Sequence, residues 1–219
     1  MPIYKYVNAD FFKKWSFDMA YVLGFFTADG NMIRNKRGAY FIEFTSTDKD
    51  IIYKIHKVMR SDHKISSRQR TEKTEYRFQL GSKNMFKDLI KLGLTPNKSK
   101  TIKLPSIPIK YLPDFVRGYF DGDGNVTFGY FKRKGKVRHS PIIMVRFTSG
   151  SKDFIYQLKN KLSSIIKVCG CISHSSGAYR LSYAKHESYK LFAFMYRNNY
   201  EGLIYLNRKY RIFKNAGVA

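Results

Sequence analysis

Acidic residues are scarce in this chain. Of its 219 residues, 16 are Asp or Glu against 41 Lys or Arg, a formal net charge of +25. Such an excess costs self-repulsion in a compact state and points to a polyanionic partner, nucleic acid before membrane. Cysteine is nearly absent. Cys169 and Cys171, in VCGCIS, are separated by one residue, a spacing that suits neither an easy disulfide nor a zinc knuckle built from paired C-x₂-C elements. They are expected as packing residues in a reducing compartment. No apolar run approaches the roughly 18 residues of a membrane-spanning helix, and the start, MPIYKYVNADFFKKWS, lacks the apolar stretch of a signal peptide. An intracellular, soluble protein is expected, in cytoplasm or an organelle matrix.

Apolar residues are plentiful, at 43%, enough for a packed interior. The chain also repeats itself. Gly24, Ala28, Asp29 and Gly30 recur as Gly118, Gly122, Asp123 and Gly124 at one constant offset. EFTSTDKDIIYKI (43–55) matches RFTSGSKDFIYQL (146–158), and YRFQL (76–80) matches YRLSY (179–183), in the same order. Each unit reads as a helix, a hairpin, a helix with apolar residues at 3.6 spacing, two more strands and a third helix. The expectation is an α+β fold of two pseudo-symmetric αββαββα repeats, over 1–104 and 105–219. The stretch from about 99, with Pro105, Pro108 and Pro113, reads as an extended linker ending at a helix start.

FDMAYVLGFFTADGNM (17–32) is apolar nearly all round and then stops at an acid and a glycine; PDFVRGYFDGDGNV (113–126) does the same. Small residues at four-residue spacing, Gly24 and Ala28 on one helix and Gly118 and Gly122 on the other, let two backbones approach closely. Phe17, Ala20, Tyr21 and Phe115 share those faces, while Leu23, Phe26, Val116 and Phe120 would cover the sheets. Such packing brings Asp29 and Asp123 together at two helix C-termini, where a carboxylate is electrostatically misplaced. A divalent cation removes the conflict. Oxygen donors without Cys or His indicate Mg²⁺, held by Asp29, Asp123, the helix-end carbonyls of Ala28 and Gly122, water and substrate phosphate. Gly30 and Gly124 are expected as left-handed residues closing the helices. DGDGN is not a calcium loop, because Val126 stands where the glycine and Lys132 where the bidentate glutamate would be required.

VLGFFTADG (22–30) and VRGYFDGDG (116–124) resemble the signature of the LAGLIDADG homing endonucleases in their monomeric two-motif form. The resemblance implies two motif helices packed at the centre of a DNA-binding saddle and a metal-dependent, staggered double-strand break with 3′ overhangs in a long, quasi-palindromic duplex. Asp29 and Asp123 match the metal-binding acid of the motif. The first motif has Thr27 where the second has Asp121. LTPNKSKTIKLP resembles the segment carrying a basic catalytic residue, which maps to Lys98, and YLNRKYRIF places its partner at Lys209; Lys100 and Arg208 are the neighbouring alternatives. Ser46 and Ser149 align with a water-positioning group. Mn²⁺ is expected to substitute for Mg²⁺, and Ca²⁺ to bind without supporting cleavage.

Strand alternation separates a core face from a contact face. Ile42 and Phe44 flank Glu43; Val145 and Phe147 alternate with Met144 and Arg146; Tyr76, Phe78 and Leu80 alternate with Glu75, Arg77 and Gln79, and Arg180 and Ser182 recur in the second repeat. With Arg34, Arg37, Arg68, Arg70, Lys132, Arg133, Lys136 and Arg138 around the hairpins, this face is expected to contact double-stranded DNA. A two-stranded ribbon fits the major groove, where Arg reads guanine and Gln reads adenine. No acid interrupts 130–140. The charge lies on strands rather than on an amphipathic helix, against a membrane surface. A monomer without a protein partner is expected. Two other readings stay open: an intron maturase acting on RNA, and a cleavage-inactive DNA-binding protein. An intein is disfavoured by the initial Met and the lack of flanking splicing blocks.

Overall fold

A computed structural model of the protein describes residues 5–70, 72–132, 139–197 and 202–218. Helix α1 (Phe17–Asp29) starts where Ser16 Oγ accepts a hydrogen bond from the Met19 N–H at 3.0 Å, a side-chain cap for an otherwise orphaned donor. It runs directly into β1 (Gly30–Arg34), which turns back as β2 (Tyr40–Ser46). Then follow α2 (Lys49–Met59), β3 (Ile65–Arg70), β4 (Lys73–Gly81) and α3 (Lys83–Lys91). The second unit repeats the order as α4 (Leu112–Asp123), β5 (Gly124–Lys132), β6 (His139–Ser149), α5 (Lys152–Ile166), β7 (Cys171–Ser175), β8 (Ala178–Tyr183) and α6 (Lys185–Met195).

Each unit therefore holds a four-stranded antiparallel sheet, in the orders β1-β2-β4-β3 and β5-β6-β8-β7. The registers correspond residue by residue: Gly30 faces Phe44 as Gly124 faces Phe147, and Thr45 faces Arg77 as Thr148 faces Arg180. Ile42, Phe44, Phe78 and Leu80 in one sheet and Val145, Phe147, Leu181 and Tyr183 in the other are fully buried. This is the two-unit α+β architecture read from the repeat. A further helix, α7 (Asn207–Asn215), follows α6; among the described residues of the first unit the corresponding place holds only a short 3₁₀ turn (Lys98–Lys100). The inward positions of α7, Leu206 at its N-cap and then Tyr210 and Phe213, follow helical spacing within a strongly basic stretch.

The two motif helices meet backbone to backbone. A Cβ on Gly24 would lie 2.0 Å from the Phe115 carbonyl oxygen, and one on Gly118 would lie 2.0 Å from that of Tyr21. A Cβ on Gly122 would sit 2.4 Å from the Ala28 methyl carbon. On their other faces the helices cover the sheets, with Phe26 against Phe44 at 5.1 Å and Phe120 against Phe147 at 5.9 Å between ring centroids. A helix packed on both faces is apolar all round.

Two expectations are corrected here. Gly30 and Gly124 are not left-handed: their φ values are −84° and −90° with extended ψ, because the chain leaves each helix straight into a strand. Glycine is required for a different reason. A Cβ at either position would fall 2.2 Å from the Phe26 ring or 2.4 Å from the Phe120 ring. Nor are Cys169 and Cys171 packing residues; both are exposed and free. Alternation buries Gly170 between them, where a Cβ would lie 2.7 Å from Leu181 and Tyr183 side chains.

Gly24→Ala should destabilise the protein by about 3 kcal/mol or more, since its new methyl meets backbone that cannot rotate away. Gly129→Ala is the control, with its nearest contact, Phe131, at 3.5 Å, and should stay within about 0.5 kcal/mol of wild type. Urea unfolding of both variants checks this; a stable Gly24→Ala protein contradicts the backbone contact.

Candidate active site at the paired helix ends

Packing of α1 on α4 sets Asp29 and Asp123 at adjacent helix C-termini. The Asp29 carboxylate lies over the other helix: a Cβ on Gly122 would be 3.2 Å from Asp29 Oδ2. Asp29 fronts two cavities. One, of about 280 Å³, is lined by Ser46, Asp48, Asp121, Gly122 and Arg208 among others; the second, of about 220 Å³, is lined by Ala28, Gly30, Asn31, Asn97 and Lys98 among others.

Burial and then the charge of Asp123 push the Asp29 carboxyl up to about 7, against the pull of Lys209 and Lys98. Burial raises Asp123 too, again opposed by Lys209 and Lys98. Both lysines are buried. Lys98, in a short 3₁₀ turn (Lys98–Lys100), donates from Nζ to the Gly30 carbonyl. Lys209, on α7, donates to the carbonyls of Phe120 at 2.6 Å, Asp121 at 2.8 Å and Gly124 at 2.6 Å. Each ammonium thus meets the negative end of one motif helix. Desolvation lowers both lysines to about 8, with the nearby carboxylates holding them up. Their alternatives point elsewhere: Lys100 is exposed, and Arg208 makes a forked pair with Asp48 at 2.8–3.0 Å.

Among the described residues no three His, Cys, Asp or Glu side chains cluster as a metal cage. Two mutually repelling carboxylates, Asp29 half-buried and Asp123 open to solvent on one side, suit a hard cation that keeps its waters and takes further oxygens from phosphate, as Mg²⁺ does. The Gly122 carbonyl faces Lys209 Nζ at 3.4 Å, so this oxygen is shared with an ammonium. Ser46 Oγ accepts from the Asp48 N–H and Ser149 Oγ from the Ser151 N–H, both at 3.1 Å, so each closes the turn after its strand.

The outward sheet faces carry the other candidates. Arg77 pairs with Glu43 at 2.5 Å, Gln79 donates to the same Glu43 carboxylate at 2.9 Å, and Arg68 pairs with Glu75 at 3.0 Å. Arg77, Glu43, Arg68 and Glu75, with Asn31, Thr45 and Ser66, line a concavity of about 650 Å³. On the second sheet Arg146 donates to Ser182 Oγ at 3.1 Å and Arg180 to Ser175 Oγ. Arg34 lies over the Tyr40 ring at 5.5 Å, and Arg37 sits in the β1–β2 turn. Arg133, Lys136 and Arg138, and the side chains of Arg70 and Lys132, lie outside the described residues.

Sequence reasoning missed a buried polar group on α4. Arg117 pairs with Asp114 at 2.8 Å and donates to the Met195 and Ile204 carbonyls. Asp121 accepts from the Tyr21 hydroxyl and the Leu206 N–H. The available signal was that three charged residues interrupt α4 where α1 has Ala20, Leu23 and Thr27.

Comparison with known proteins follows the same lines. A family model described as a LAGLIDADG-like domain matches residues 16–90 and 111–194. The uncharacterized protein MJ0398 of Methanocaldococcus jannaschii is 26% identical over 190 residues, covering 80% of this chain and 65% of that protein. The chain thus spans less than two thirds of that relative's length. Among solved structures, the LAGLIDADG meganuclease I-AabMI bound to uncleaved DNA matches with a TM-score of 0.64 at 13% identity, over 90% of this chain and 88% of that one. I-SmaMI bound to uncleaved target DNA in the presence of calcium ions matches with 0.54 at 14% identity, over 83% and 85%. These likenesses establish the fold. No helix among the described residues is long and apolar enough to cross a membrane.

The Asp29 carboxyl gives a pH prediction. Its folded value near 7 lies above the ordinary 3.8, so the folded state binds that proton more tightly than the unfolded chain. Protonated Asp29 costs nothing below about pH 4; the penalty grows as pH rises towards 7 and is constant above it. In metal-free buffer Asp29→Asn should therefore match wild type near pH 4 and exceed it increasingly up to pH 7. Thermal unfolding in EDTA measures the difference, and a difference independent of pH contradicts the assignment.

Proposed function

The chain belongs to the LAGLIDADG-like domain family, and from that membership and its paired acids we propose a site-specific, Mg²⁺-dependent DNA endonuclease that makes a staggered double-strand break. The carrying observation is the Asp29–Asp123 pair at touching helix ends, flanked by one buried lysine on each side. A structural acid pair has no need of two buried cations and adjoining cavities. The proposed units are 1–104 and 105–219, acting as a monomer on a quasi-palindromic duplex.

Asp29, Asp123 and the Ala28 and Gly122 carbonyls would hold the metal. Mg²⁺ bound there would make a coordinated water acidic and carry charge developing on the phosphate oxygens. Lys98 and Lys209, close to neutral pH in their affinity for a proton, can hold or accept one at Nζ near each reacting phosphate. Arg77, Gln79 and Glu43 on one sheet and Arg180, Ser182 and Arg146 on the other occupy matching register positions, which suits recognition of two half-sites. The arginines bonded to Glu43 and Glu75 are held in place before DNA arrives and exchange those partners for base edges or phosphates.

Selecting cleaved sites from a randomised duplex library with Mg²⁺ tests the activity. Wild type should yield one long target and linearise a plasmid carrying it, with Mn²⁺ substituting and Ca²⁺ supporting binding alone. Asp29→Asn and Asp123→Asn should bind that duplex and fail to linearise it. Cleavage by the double variant ends the catalytic assignment; preference for structured RNA over every duplex favours the maturase instead. On the selected target, Arg77→Ala and Arg180→Ala should each relax base preference in their own half-site by about 1–3 kcal/mol. Uniform weakening reassigns that arginine to phosphate contact.

A further inference from the structure

Asp121 and Thr27 occupy the same place in the two motifs but do different things. Thr27 Oγ1 donates to the Leu23 carbonyl at 2.8 Å, a bond within its own helix. Asp121, 2% exposed, reaches out of its helix twice. Its Oδ2 accepts from the Tyr21 hydroxyl on α1 at 2.7 Å and from the Leu206 N–H at 2.9 Å. Leu206 is the N-cap residue of α7, and the Lys209 N–H donates back to the Leu206 carbonyl at 3.1 Å. One turn of helix therefore links the Asp121 carboxylate to the lysine whose ammonium lies on the Phe120, Asp121 and Gly124 carbonyls.

Lys98 arrives differently. It comes from the turn after α3, and its hydrogen bond to the first motif is to the Gly30 carbonyl. The two lysines are thus supported by unlike devices, a linker turn on one side and a buried carboxylate on the other.

We propose that Asp121 is a positioning residue for one strand only: it fixes the start of α7 so that Lys209 serves the strand cut beside the second motif. The role rests on the endonuclease reading given above. A single oxygen makes both bonds, and Oδ1 has no hydrogen-bond partner among the described residues. An amide oxygen can therefore replace Oδ2, which sets the test apart from a simple loss of charge. Misplacing a catalytic group by about 1 Å costs up to roughly 10²-fold in rate, so loss of the hold should slow one strand by that order and spare the other.

The experiment uses the full chain and a supercoiled plasmid bearing the selected target, with each strand labelled separately and duplex binding measured in Ca²⁺. Lys209→Met and Lys98→Met identify the strand each lysine serves. Asp121→Ala should bind normally and accumulate nicked circles, sparing the strand that Lys209→Met also spares. Asp121→Asn should restore linearisation, and Thr27→Val should leave both strands cut as in wild type. Should Asp121→Ala not fold, Asp121→Thr installs the residue of the first motif and should nick the same strand. Hydrogen exchange gives a readout independent of cleavage: amides of α7 should exchange faster in Asp121→Ala or Asp121→Thr and not in Asp121→Asn. Equal slowing of both strands, an Asn variant as defective as Ala, or unchanged α7 exchange overturns the role. Wild type that cuts neither strand overturns the endonuclease reading and this role together, whereas wild-type cleavage with symmetric loss overturns this role alone.

Discussion

Two helix backbones in contact govern this protein. Gly24 and Gly118 leave no room for a Cβ between α1 and α4, and the separation they permit decides where the helices end relative to one another. Both acids fall at those ends. Without the close approach Asp29 would lie neither over Gly122 nor near Asp123, and burial and mutual repulsion would not raise its carboxyl. The same approach explains the all-round apolarity of α1, since one face meets a helix and the other a sheet.

The centre is electrostatically uneasy by construction. Two carboxylates sit where helix carbonyls already concentrate negative charge, and two desolvated lysines oppose them. Burying two lysines beside a half-buried carboxylate does little for stability by itself, because desolvation offsets most of the attraction. Perturbed groups gathered in one place are what the proposed endonuclease site requires. Around it the two units diverge. The second carries Asp114, Arg117 and Asp121 inside its motif helix: Arg117, paired with Asp114, bonds the Met195 and Ile204 carbonyls, and Asp121 bonds the Leu206 N–H; the first has apolar or self-bonded residues there. The pseudo-symmetry thus holds in the register of the sheets, although the first hairpin of the second unit is longer, and is broken behind the motif helices.

Much of this was legible in the sequence. Duplication fixed the order of elements because the repeated stretches retain both periodicities, and the strand register follows from alternation around Phe44 and Phe147. The acids at 29 and 123 stood out because an acid ending an apolar helix is locally inconsistent. What was not legible depends on contacts between distant segments. The glycines after the acids answer to the Phe26 and Phe120 rings one turn earlier rather than to a left-handed turn. The cysteines lie outside because Gly170 takes the inward position. Helix α7 gains its order from Asp121, Asp48 and Asp50, and no local pattern announces partners so far away in the chain.

The central claim is that touching helix ends assemble one divalent-metal centre from both halves of the chain. Anomalous scattering from Mn²⁺ in crystals of the protein bound to its selected duplex tests it most directly. The account predicts manganese within about 2.2 Å of carboxylate oxygens of both Asp29 and Asp123, with phosphate oxygens completing the sphere. Manganese bound elsewhere, or held by one acid with the other turned away to a protein partner, contradicts it.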